Sequence, residues 1–460
     1  MEPCKINLQN RQVGEARSLA SGLLSYKKPP AVLGGLGGAI FSHDLKPMNT
    51  QLKTEIPVPV HDIIDIAETT CCIVGGGPAG VVLSLLLARQ GIPVMLLETH
   101  KDFDRDFRGD TIHPSTMEIM DQLGLAERLL QLPHAKMRHI TVTTPNGSIQ
   151  FADFSRLKTR YQYITMMPQA KFLEFIAQEA KRYPNFQLVL GANVQELIEE
   201  NRLIRGVRYR GHGGWHEVRA HLTVGADGRH SKVRQLAGFQ PIETSPPMDV
   251  LWFRLPRKPE DGEGGMGRFG GGRIVVLLNR GDEWQIAYVI SKGGYQQLRA
   301  AGLEVLRKSV VEVVLELSDR VEQLQDWSQV AFLSVESSRL PRWYRPGLLL
   351  IGDAAHVMSP VGGVGINYAV QDAVVTANIL SEPLKRGGLH LWDLAAVQRQ
   401  REWPTRIIQA FQSLVQQQLL ARALDPNQSL TPPAFLRLPI LRDLPARIIG
   451  LGICPVRVQC

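Results

Sequence analysis

One stretch decides the fold of this chain: residues 352–367 read GDAAHVMSPVGGVGIN. The apolar run just before it, Gly347 to Ile351, predicts a buried strand, so that Asp353 stands at the carboxyl end of that strand. Open α/β sheets bind their ligands at this end of their strands. The sequence therefore predicts an α/β protein with a ligand site at Asp353.

The residues after Asp353 suit a flat, electron-poor ligand. Gly362, Gly363 and Gly365 let the backbone approach such a ligand closely, because no Cβ intervenes. The pattern then predicts a helix from about Ile366, whose N–H groups and positive dipole end point back at the loop. An acid, a glycine loop and a helix start together describe a flavin site. The alternative is a glycine-rich turn without a ligand, and the upstream residues decide between the two.

Composition indicates a globular protein and argues against two classes of function. The 460 residues are 44% hydrophobic and 21% charged, which predicts an ordered chain of two or three domains. There are 52 Lys and Arg against 44 Asp and Glu, a net charge of +8 without a basic block, so nucleic-acid binding is not expected. No apolar run is long enough for a transmembrane helix, although contact with a membrane surface stays open.

The cysteines and the first residues bear on the cellular compartment. The chain has an odd number of cysteines without metal-ligand spacing, which predicts reduced thiols, no bound metal and a cytoplasmic protein. Residues 1–67 show weak periodicity and no signal-peptide pattern. We expect a poorly ordered leader there, and Met48 is an alternative start of the native protein.

A second glycine turn follows the apolar strand predicted at Cys71–Val74. Residues 75–80 read GGGPAG, which matches Gly-x-Gly-x-x-Gly, and a helix is predicted to begin at Pro78 and end before Gly91. The next strand ends in Glu98, at the distance where such units place an acid on a ribose. Strand, helix and acid together predict a dinucleotide-binding β-α-β unit.

Two more positions are candidates for the same site. Arg108 stands beside a glycine and can reach a diphosphate with both arms of its guanidinium, although a solvated surface arginine explains it equally well. Asp227 follows a strand within Gly225-Ala226-Asp227-Gly228 and precedes a helix. A plain helix cap is the alternative for Asp227.

Short strands separated by turn residues predict a second, antiparallel sheet. Residues 139–154 alternate about an Asn-Gly turn, which predicts a β-hairpin, and strands are expected at 248–255, 273–279 and 284–290. Earlier strands are expected at 186–190, 203–210 and 216–224. A helix is predicted over Phe172–Arg182, and a long amphipathic helix from Gln398 to Ala421, with a tail after it that packs on the body.

With these motifs together, the chain resembles the class A FAD-dependent aromatic monooxygenases, which have the para-hydroxybenzoate hydroxylase-like fold and include ubiquinone-pathway and polyketide-tailoring hydroxylases. Three motifs carry the resemblance in the family's order: residues 75–80 with Glu98, residues 225–228, and residues 352–367. The resemblance covers about residues 68–425. It implies an α/β fold: a Rossmann-like FAD-binding domain with a parallel sheet, interleaved with an antiparallel-sheet substrate domain and followed by a C-terminal helix.

We expect the following division of the chain. Residues 68–138, 166–240 and 346–400 form the FAD-binding domain, and residues 139–165 and 241–345 form the substrate domain. Residues 1–67 are the leader, and residues 401–460 are the C-terminal helix and tail. The second sheet, which includes Trp252, Arg254, Tyr288 and the hairpin at 139–154, is expected to form the substrate chamber, although the alternation leaves open which half of each strand faces it.

The resemblance implies a role for each matching residue. Gly75, Gly77, Pro78, Ala79 and Gly80 would hold the FAD diphosphate, with Arg108 at the phosphates and Glu98 at the adenosine ribose. Gln169 would contact the cofactor, Val194 the adenine, and Asp227 both FAD and NAD(P)H. Gly352 and Asp353 would bind the ribityl chain. The isoalloxazine would be lined by Pro360, Gly363, Gly365, Ile366 and Asn367, and His356 would be structural.

The implied reaction is an NAD(P)H-driven hydroxylation. NAD(P)H would reduce FAD, the reduced flavin would capture O₂ as a C4a-hydroperoxide, and an OH group would pass to an aromatic or quinone-like small molecule. No catalytic side chain is obligatory, so none is assigned. Three alternatives remain: a prenyl-reductase-like enzyme that does not use O₂, a flavin halogenase, whose Trp-x-Trp-x-Ile-Pro signature the chain lacks, and a non-catalytic flavin sensor.

Overall fold

The computed structural model describes residues 62–104, 109–262, 264–425 and 443–459. The strands in chain order are β1 (Ile63–Val74), β2 (Val94–Glu98), β3 (Thr111–Ile112), β4 (Ala135–Met137), β5 (His139–Thr144), β6 (Gly147–Asp153), β7 (Ile164–Met166), β8 (Phe186–Leu190), β9 (Asn193–Glu200), β10 (Leu203–Gly211), β11 (Gly214–Gly225), β12 (Ile242–Thr244), β13 (Met248–Pro256), β14 (Gly265–Gly270), β15 (Arg273–Asn279), β16 (Glu283–Ser291), β17 (Ala331–Leu333), β18 (Ser337–Arg339), β19 (Tyr344–Arg345), β20 (Leu348–Leu350) and β21 (His356–Val357). The α-helices are α1 (Pro78–Arg89), α2 (Pro114–Gln122), α3 (Ala126–Leu129), α4 (Gln169–Ala180), α5 (Lys232–Leu236), α6 (Tyr295–Ala301), α7 (Leu303–Val313), α8 (Gly365–Lys385), α9 (Leu391–Val415), α10 (Ala421–Ala423) and α11 (Leu444–Leu451).

Parallel strands form the centre of the larger sheet, in the order β20-β11-β1-β2-β8. The end of β1 and all of β2 are buried. Strands covered on both faces need apolar side chains at every position, which is why they appear in the sequence as unbroken apolar runs. β9, β10 and β19 extend this sheet with antiparallel pairs. The predicted α/β fold is confirmed.

Two helices bring the glycine turns together at the carboxyl edge of this sheet. α1 begins at Pro78 and is buried from Ala79 to Ala88, and Gly91 follows it with a φ of +76°. A Cβ added at Gly352 would lie 3.2 Å from the Cβ of Ala79 and 3.5 Å from that of Ala369 in α8. The starts of α1 and α8 therefore meet at the turn that follows β20.

The second sheet has seven strands in the order β17-β13-β16-β15-β14-β5-β6, with only the β14–β5 pair parallel. Alternate residues on its strands face opposite sides of the sheet. Leu251, Phe253 and Ile286 pack in a core with α7, whereas Trp252 and Ala287 face a cavity on the other side. The expected hairpin at 139–154 is present as β5 and β6.

Among the longer strands, β9 and β14 were not predicted from the sequence. β9 and β10 join through Asn201 and Arg202, whose φ values of 52° and 63° give a turn that glycine usually signals. β14 reads GMGRFG, and three glycines in six residues are more typical of a turn than of a strand. Sheet pairing on both sides of β14 overrides that local preference.

The long C-terminal helix begins earlier than expected. α9 starts at Leu391 instead of Gln398, because Asp393 accepts a hydrogen bond of 2.9 Å from the backbone N–H of His390 and so caps the helix there. It ends at Val415 and continues as a π-helical turn, Gln416–Leu420. Likewise α4 begins at Gln169, three residues before the predicted start.

The C-terminal tail packs on the body where the structure describes it. Ala446 and Ile449 of α11 are buried against Phe154 and Leu157. The predicted leader lies outside the described residues except for its last positions, which belong to β1, and the domain boundaries remain a prediction. Among the described residues, none of the helices combines the length and apolar character needed to cross a bilayer.

Candidate functional site

A cavity of about 310 Å³ lies at the carboxyl ends of the parallel strands, where the sequence predicted a ligand. It brings together three turns that are far apart in the chain, after β1, β11 and β20. Most of the predicted cofactor residues line it: Gly75, Gly77, Pro78, Ala79, Glu98, Gln169, Asp227, Asp353, Pro360, Gly363, Gly365 and Ile366.

The turn after β1 requires glycine for close packing. A Cβ at Gly75 would lie 2.5 Å from the carbonyl oxygen of Ala226, and one at Gly80 would lie 1.9 Å from that of Gly75. In contrast, a Cβ at Gly77 would meet no atom closer than 3.9 Å. The backbone is thus tight beneath the turn and open towards the cavity, where the unpaired N–H groups at the start of α1 can bind phosphate.

Glu98 forms one end of the cavity with its carboxylate fixed from two sides. Its Oε2 accepts a hydrogen bond of 2.7 Å from the backbone N–H of Gly76. Its Oε1 accepts from the backbone N–H of His100 at 3.0 Å and lies 2.6 Å from the Nδ1 of His100. The carboxylate is buried and held in place, and its remaining lone pairs can accept from sugar hydroxyls.

Asp227 lines the cavity but uses its carboxylate to hold the turn after β11. Its oxygens accept from the Oγ of Ser231 at 2.5 Å and from the backbone N–H of Val233 at 3.0 Å, at the start of α5. Burial raises the pKa of Asp227, although these hydrogen bonds oppose the rise. The helix-cap alternative is therefore correct in part: the side chain caps α5 and borders the cavity.

Arg234 connects the turn after β11 to the turn after β20. Its guanidinium donates to the carbonyl oxygens of Asp353 at 3.4 Å and Ala354 at 3.1 Å, and to that of Arg229 at 2.5 Å. No local pattern marks Arg234 as part of the site, because two of its three partners lie about 120 residues away in the chain.

A buried ionic cluster fixes the turn that carries Asp353. Asp372 of α8 accepts from the backbone N–H of Gly352 at 3.0 Å, from His356 at 2.6 Å and from Arg401 at 2.7 Å. Burial by itself would raise the pKa of Asp372, but the attraction of His356 and Arg401 lowers it below the usual value. Asp353 stands half-buried on the cavity wall, and His356 serves this structural cluster as the sequence analysis expected.

The glycine loop before α8 separates this cavity from a second one. On one side the loop is closely packed, since a Cβ at Gly363 would lie 2.7 Å from the Oγ1 of Thr111. A Cβ at Gly365 would meet nothing within 4 Å, so the start of α8 opens onto free space. The N–H groups of the first turn of this 21-residue helix point there, which favours an electron-rich ligand edge.

Some predicted site residues do not reach the cavity wall. Gly80 and Gly352 pack behind their turns, and Val194 is buried in β9. The amide oxygen of Asn367 accepts from the backbone N–H of His113 and from Thr116, which ties α8 to the start of α2. Arg108 lies outside the described residues. Their contact with a cofactor stays a prediction, whereas His100, Phe103, Arg229 and Glu336 line the cavity without having been predicted.

The residues of this cavity fit FAD. The phosphate-binding turn, the fixed carboxylate of Glu98 and the open backbone at Gly77 suit an adenosine diphosphate. Asp353 and the helix start at Gly365 suit the ribityl chain and a flat ring. The space in front of Gly77 and Gly365, which side chains would fill, is what this ligand requires.

The second cavity, about 320 Å³, is almost entirely apolar. Alternate residues of β13, β15 and β16 line it, among them Trp252, Val276 and Val289, together with β5 and β6. It meets the first cavity at Pro360 and Gly363, which line both. The sequence left open which half of each strand faces the chamber: Trp252 lies on its wall, whereas Tyr288 belongs to the core on the opposite face of the sheet.

One corner of this apolar chamber is polar. Asp110 is 5% exposed and lies 3.5 Å from Arg280, which donates a hydrogen bond of 2.9 Å to Gln285. Burial raises the pKa of Asp110 to about 6, against the opposing effects of Arg280, Arg254, Gln285 and the backbone of Gln169. The Oδ2 of Asp110 has no hydrogen-bond partner among the described residues. A buried carboxyl group whose pKa is raised to about 6 therefore borders the chamber.

Comparisons with known proteins agree with this architecture. Residues 68–409 match the sequence model of a family described as FAD binding domain. The chain is 35% identical to 6-methylpretetramide 4-monooxygenase of Streptomyces rimosus, over 73% of this chain and 81% of that protein. It is 26% identical to para-nitrophenol 4-monooxygenase of Pseudomonas sp. (strain WBC-3), over 68% of this chain and 78% of that protein. Among solved structures, the anhydrotetracycline hydroxylase OxyS of Streptomyces rimosus superposes on this chain with a TM-score of 0.67 and 23% sequence identity. The superposition covers 84% of this chain and 76% of OxyS, which shows that the two share a fold.

Proposed function

Because the chain belongs to the class A FAD-dependent aromatic monooxygenase family, we propose that it hydroxylates an aromatic or quinone-like small molecule with O₂ and electrons from NAD(P)H. The balanced reaction is substrate-H + O₂ + NAD(P)H + H⁺ giving substrate-OH + NAD(P)⁺ + H₂O. One oxygen atom enters the substrate and the other leaves as water.

FAD would lie along the first cavity, with its diphosphate at Gly75–Gly80, its adenosine ribose at Glu98 and its ribityl chain at Asp353. The bound flavin supplies the electron transfer and oxygen activation that amino-acid side chains cannot provide. Asp227 would border FAD and NAD(P)H, as the resemblance implies. The protein's own part is to fix these groups, to bring the ring to the wall formed by Pro360 and Gly363, and to keep water out of the chamber beyond it.

One observation carries the proposal: an apolar chamber meets the FAD cavity at Pro360 and Gly363. Its wall is made of aliphatic and aromatic side chains, which stabilise an aromatic molecule by burial. The relative that is 35% identical is named for 6-methylpretetramide, a name that supports a large aromatic substrate for this chain also.

Asp110 provides the polar contact for such a substrate. A carboxyl group with a pKa of about 6 is largely ionised at neutral pH and can accept a proton from a phenolic hydroxyl. Proton removal makes the ring more electron-rich and so more reactive towards an electrophilic oxygen. Arg280 and Gln285 would hold Asp110 and limit the movement of the bound hydroxyl.

The reductase alternative is not favoured, since the relatives of greatest similarity reported above are named monooxygenases. The two functions differ in their need for O₂. A reductase consumes NAD(P)H without oxygen, whereas a hydroxylase consumes equal amounts of NAD(P)H and O₂ per product.

The test is to purify the protein, record its visible spectrum and follow O₂ uptake with NADH or NADPH against a panel of polycyclic phenols and quinone precursors. We expect a yellow protein whose O₂ uptake rises with one class of compound, and a product that carries one ¹⁸O atom when ¹⁸O₂ is supplied. NAD(P)H consumption that continues unchanged under anaerobic conditions, with a reduced product, would overturn the proposal in favour of a reductase.

A further inference from the structure

Helix α9 buries a row of polar side chains alongside apolar ones and leaves several large apolar side chains exposed. Gln398, Arg401, Thr405, Gln409 and Gln412 are buried. On the exposed side Trp392 is 63% exposed, Trp403 65% and Leu414 57%. Leu394, Val397 and Ile408 are buried on the same side, so α9 differs from the usual amphipathic helix in the polar stripe that its buried side also carries. Burial of amides is unfavourable unless they make hydrogen bonds, so the buried stripe needs partners inside the protein.

Gln409 and Gln412 of this stripe, and Gln416 in the turn that follows α9, each donate to the loop of residues 357–361. Gln409 donates from Nε2 to the carbonyl oxygens of Ser338 and Val357 at 2.9 and 3.0 Å. Gln412 donates to those of Ser359 and Val361, both at 2.8 Å. Gln416 donates to the Oγ of Ser359 at 2.5 Å. Alternate carbonyls of residues 357–361 therefore face α9.

The side chains of the same loop face the two cavities. Met358 and Ser359 line the FAD cavity, Val361 lines the chamber, and Pro360 lines both. The loop ends in two consecutive left-handed glycines, Gly362 and Gly363, with φ values of 80° and 63°. Between β21, which ends at Val357, and the short 3₁₀ turn Val361–Gly363, this backbone is irregular, so regular secondary structure alone does not fix its position.

The side-chain amides of Gln409 and Gln412 act here as hydrogen-bond donors. Their Oε1 atoms have no hydrogen-bond partner among residues 62–104, 109–262, 264–425 and 443–459. An unpaired buried acceptor is unfavourable, so the two N–H donors are the part of each amide that this site uses. A primary amide is the uncharged side chain that offers two N–H donors from one atom, and both are used on carbonyls on either side of Pro360.

We propose that Gln412 is a positioning residue that sets the Pro360 wall between the FAD ring and the substrate. Its two hydrogen bonds hold the carbonyls before and after Pro360, and Gln409 and Gln416 support the same loop. Thr111 holds the far end, where its Oγ1 donates to the carbonyl of Gly363 at 2.9 Å. The inference rests on the proposed function, because it assigns this wall a role in FAD binding and in coupling NAD(P)H oxidation to hydroxylation.

The experiment compares Gln412→Met with the wild type and with Gln417→Met. The methionine keeps the length of the side chain and removes both donors, and Gln417 is an exposed glutamine on the adjoining turn. We measure the Kd for FAD on the apoprotein, the visible spectrum of bound FAD, and the product formed per NAD(P)H oxidised. For Gln412→Met we expect roughly three- to tenfold weaker FAD binding, a shifted flavin spectrum and at least about a twofold lower product yield per NAD(P)H. Gln417→Met should match the wild type.

Two further variants keep the test decisive. Gln412→Glu, which has no donor when ionised, should change the same quantities in the same direction and by more. Gln416→Met removes a single hydrogen bond to the loop, so it should show a smaller change even if Gln412→Met fails to fold. Wild-type Kd, spectrum and yield in Gln412→Met, with only a lower unfolding temperature, would overturn the proposal, as would a change confined to Gln412→Glu. If the wild type does not hydroxylate, the Kd and the spectrum still decide the role of Gln412 at the FAD site.

Discussion

The FAD cavity and the chamber are similar in size but are built in opposite ways. The FAD cavity is made of turns and helix starts, with backbone N–H groups and fixed carboxylates on its wall. The chamber is made of side chains from an antiparallel sheet and is almost wholly apolar. A cofactor that stays the same can be recognised by backbone geometry, whereas a substrate is recognised by side chains that vary without disturbing the strands that carry them.

The difference extends to the charged groups. In the FAD cavity the carboxylate of Glu98 has hydrogen-bond partners on each oxygen, and a buried cluster supports the Asp353 turn. In the chamber Asp110 keeps one oxygen without a partner among the described residues, and burial raises its pKa to about 6. Satisfied groups hold a ligand in place, and an unsatisfied group near its pKa is suited to moving a proton.

The largest expected effect comes from Asp110→Asn, which removes the titrating group from the chamber. We expect kcat to fall by about 10²- to 10⁴-fold, because a general base contributes about that much. The wild-type rate should fall as the pH drops through about 6, where Asp110 takes up a proton, and the variant should lose this dependence. Steady-state kinetics between pH 5 and 8 measure both.

Stability and FAD binding provide the controls for that variant. The raised pKa of Asp110 means that the folded state binds its proton more tightly than the unfolded state, so this group stabilises the fold at low pH and loses that contribution as the pH rises through about 6. Asp110→Asn should therefore not lower the unfolding temperature at pH 7, nor change the Kd for FAD. An Asn variant with the wild-type kcat and pH profile would show that the polar corner only orients the substrate.

The next effect in size comes from Asp353→Ala and concerns the FAD cavity alone. Loss of hydrogen bonds to a carboxylate should weaken FAD binding by roughly 10- to 150-fold. The apoprotein should unfold at the wild-type temperature, because the adjacent turn is held by Asp372 and Arg401. Titration of FAD into the apoprotein measures this, with Asp282→Ala, an exposed turn residue, as the matched control. Full FAD affinity in Asp353→Ala would remove this residue from the cofactor site.

The same contrast explains which parts were predictable from the sequence. Gly75, Glu98 and Asp353 each lie within a strand–turn–helix unit or at its end, so local spacing was sufficient to identify them. The fold followed from these units, since the parallel sheet brings the ends of their strands to one edge. Local spacing therefore predicted the backbone turns that form the FAD cavity.

The chamber and its supports depend on contacts that no local pattern records. Asp110 is two residues from Arg108, yet its chemistry comes from Arg280 and Gln285, about 170 residues away. The helical period of α9 was recognised, but the side that faces the core was not, because that side carries five polar residues alongside Leu394, Val397 and Ile408. The repeat of glutamines at 409, 412 and 416 on one helical face was the signal that the sequence offered.

The smallest expected effect tests the alternation that builds the chamber. Ala287 faces the cavity from β16, and Tyr288, the next residue, faces the core with α7. Ala287→Phe should fill part of the chamber and raise KM for a large aromatic substrate by about tenfold, since a pocket distinguishes small differences in apolar volume by roughly that factor. The Kd for FAD should not change. Tyr288→Phe is the matched control, because it alters the opposite face of the same strand and should leave KM unchanged. If instead Tyr288→Phe raised KM and Ala287→Phe did not, the substrate would bind on the other face of the sheet.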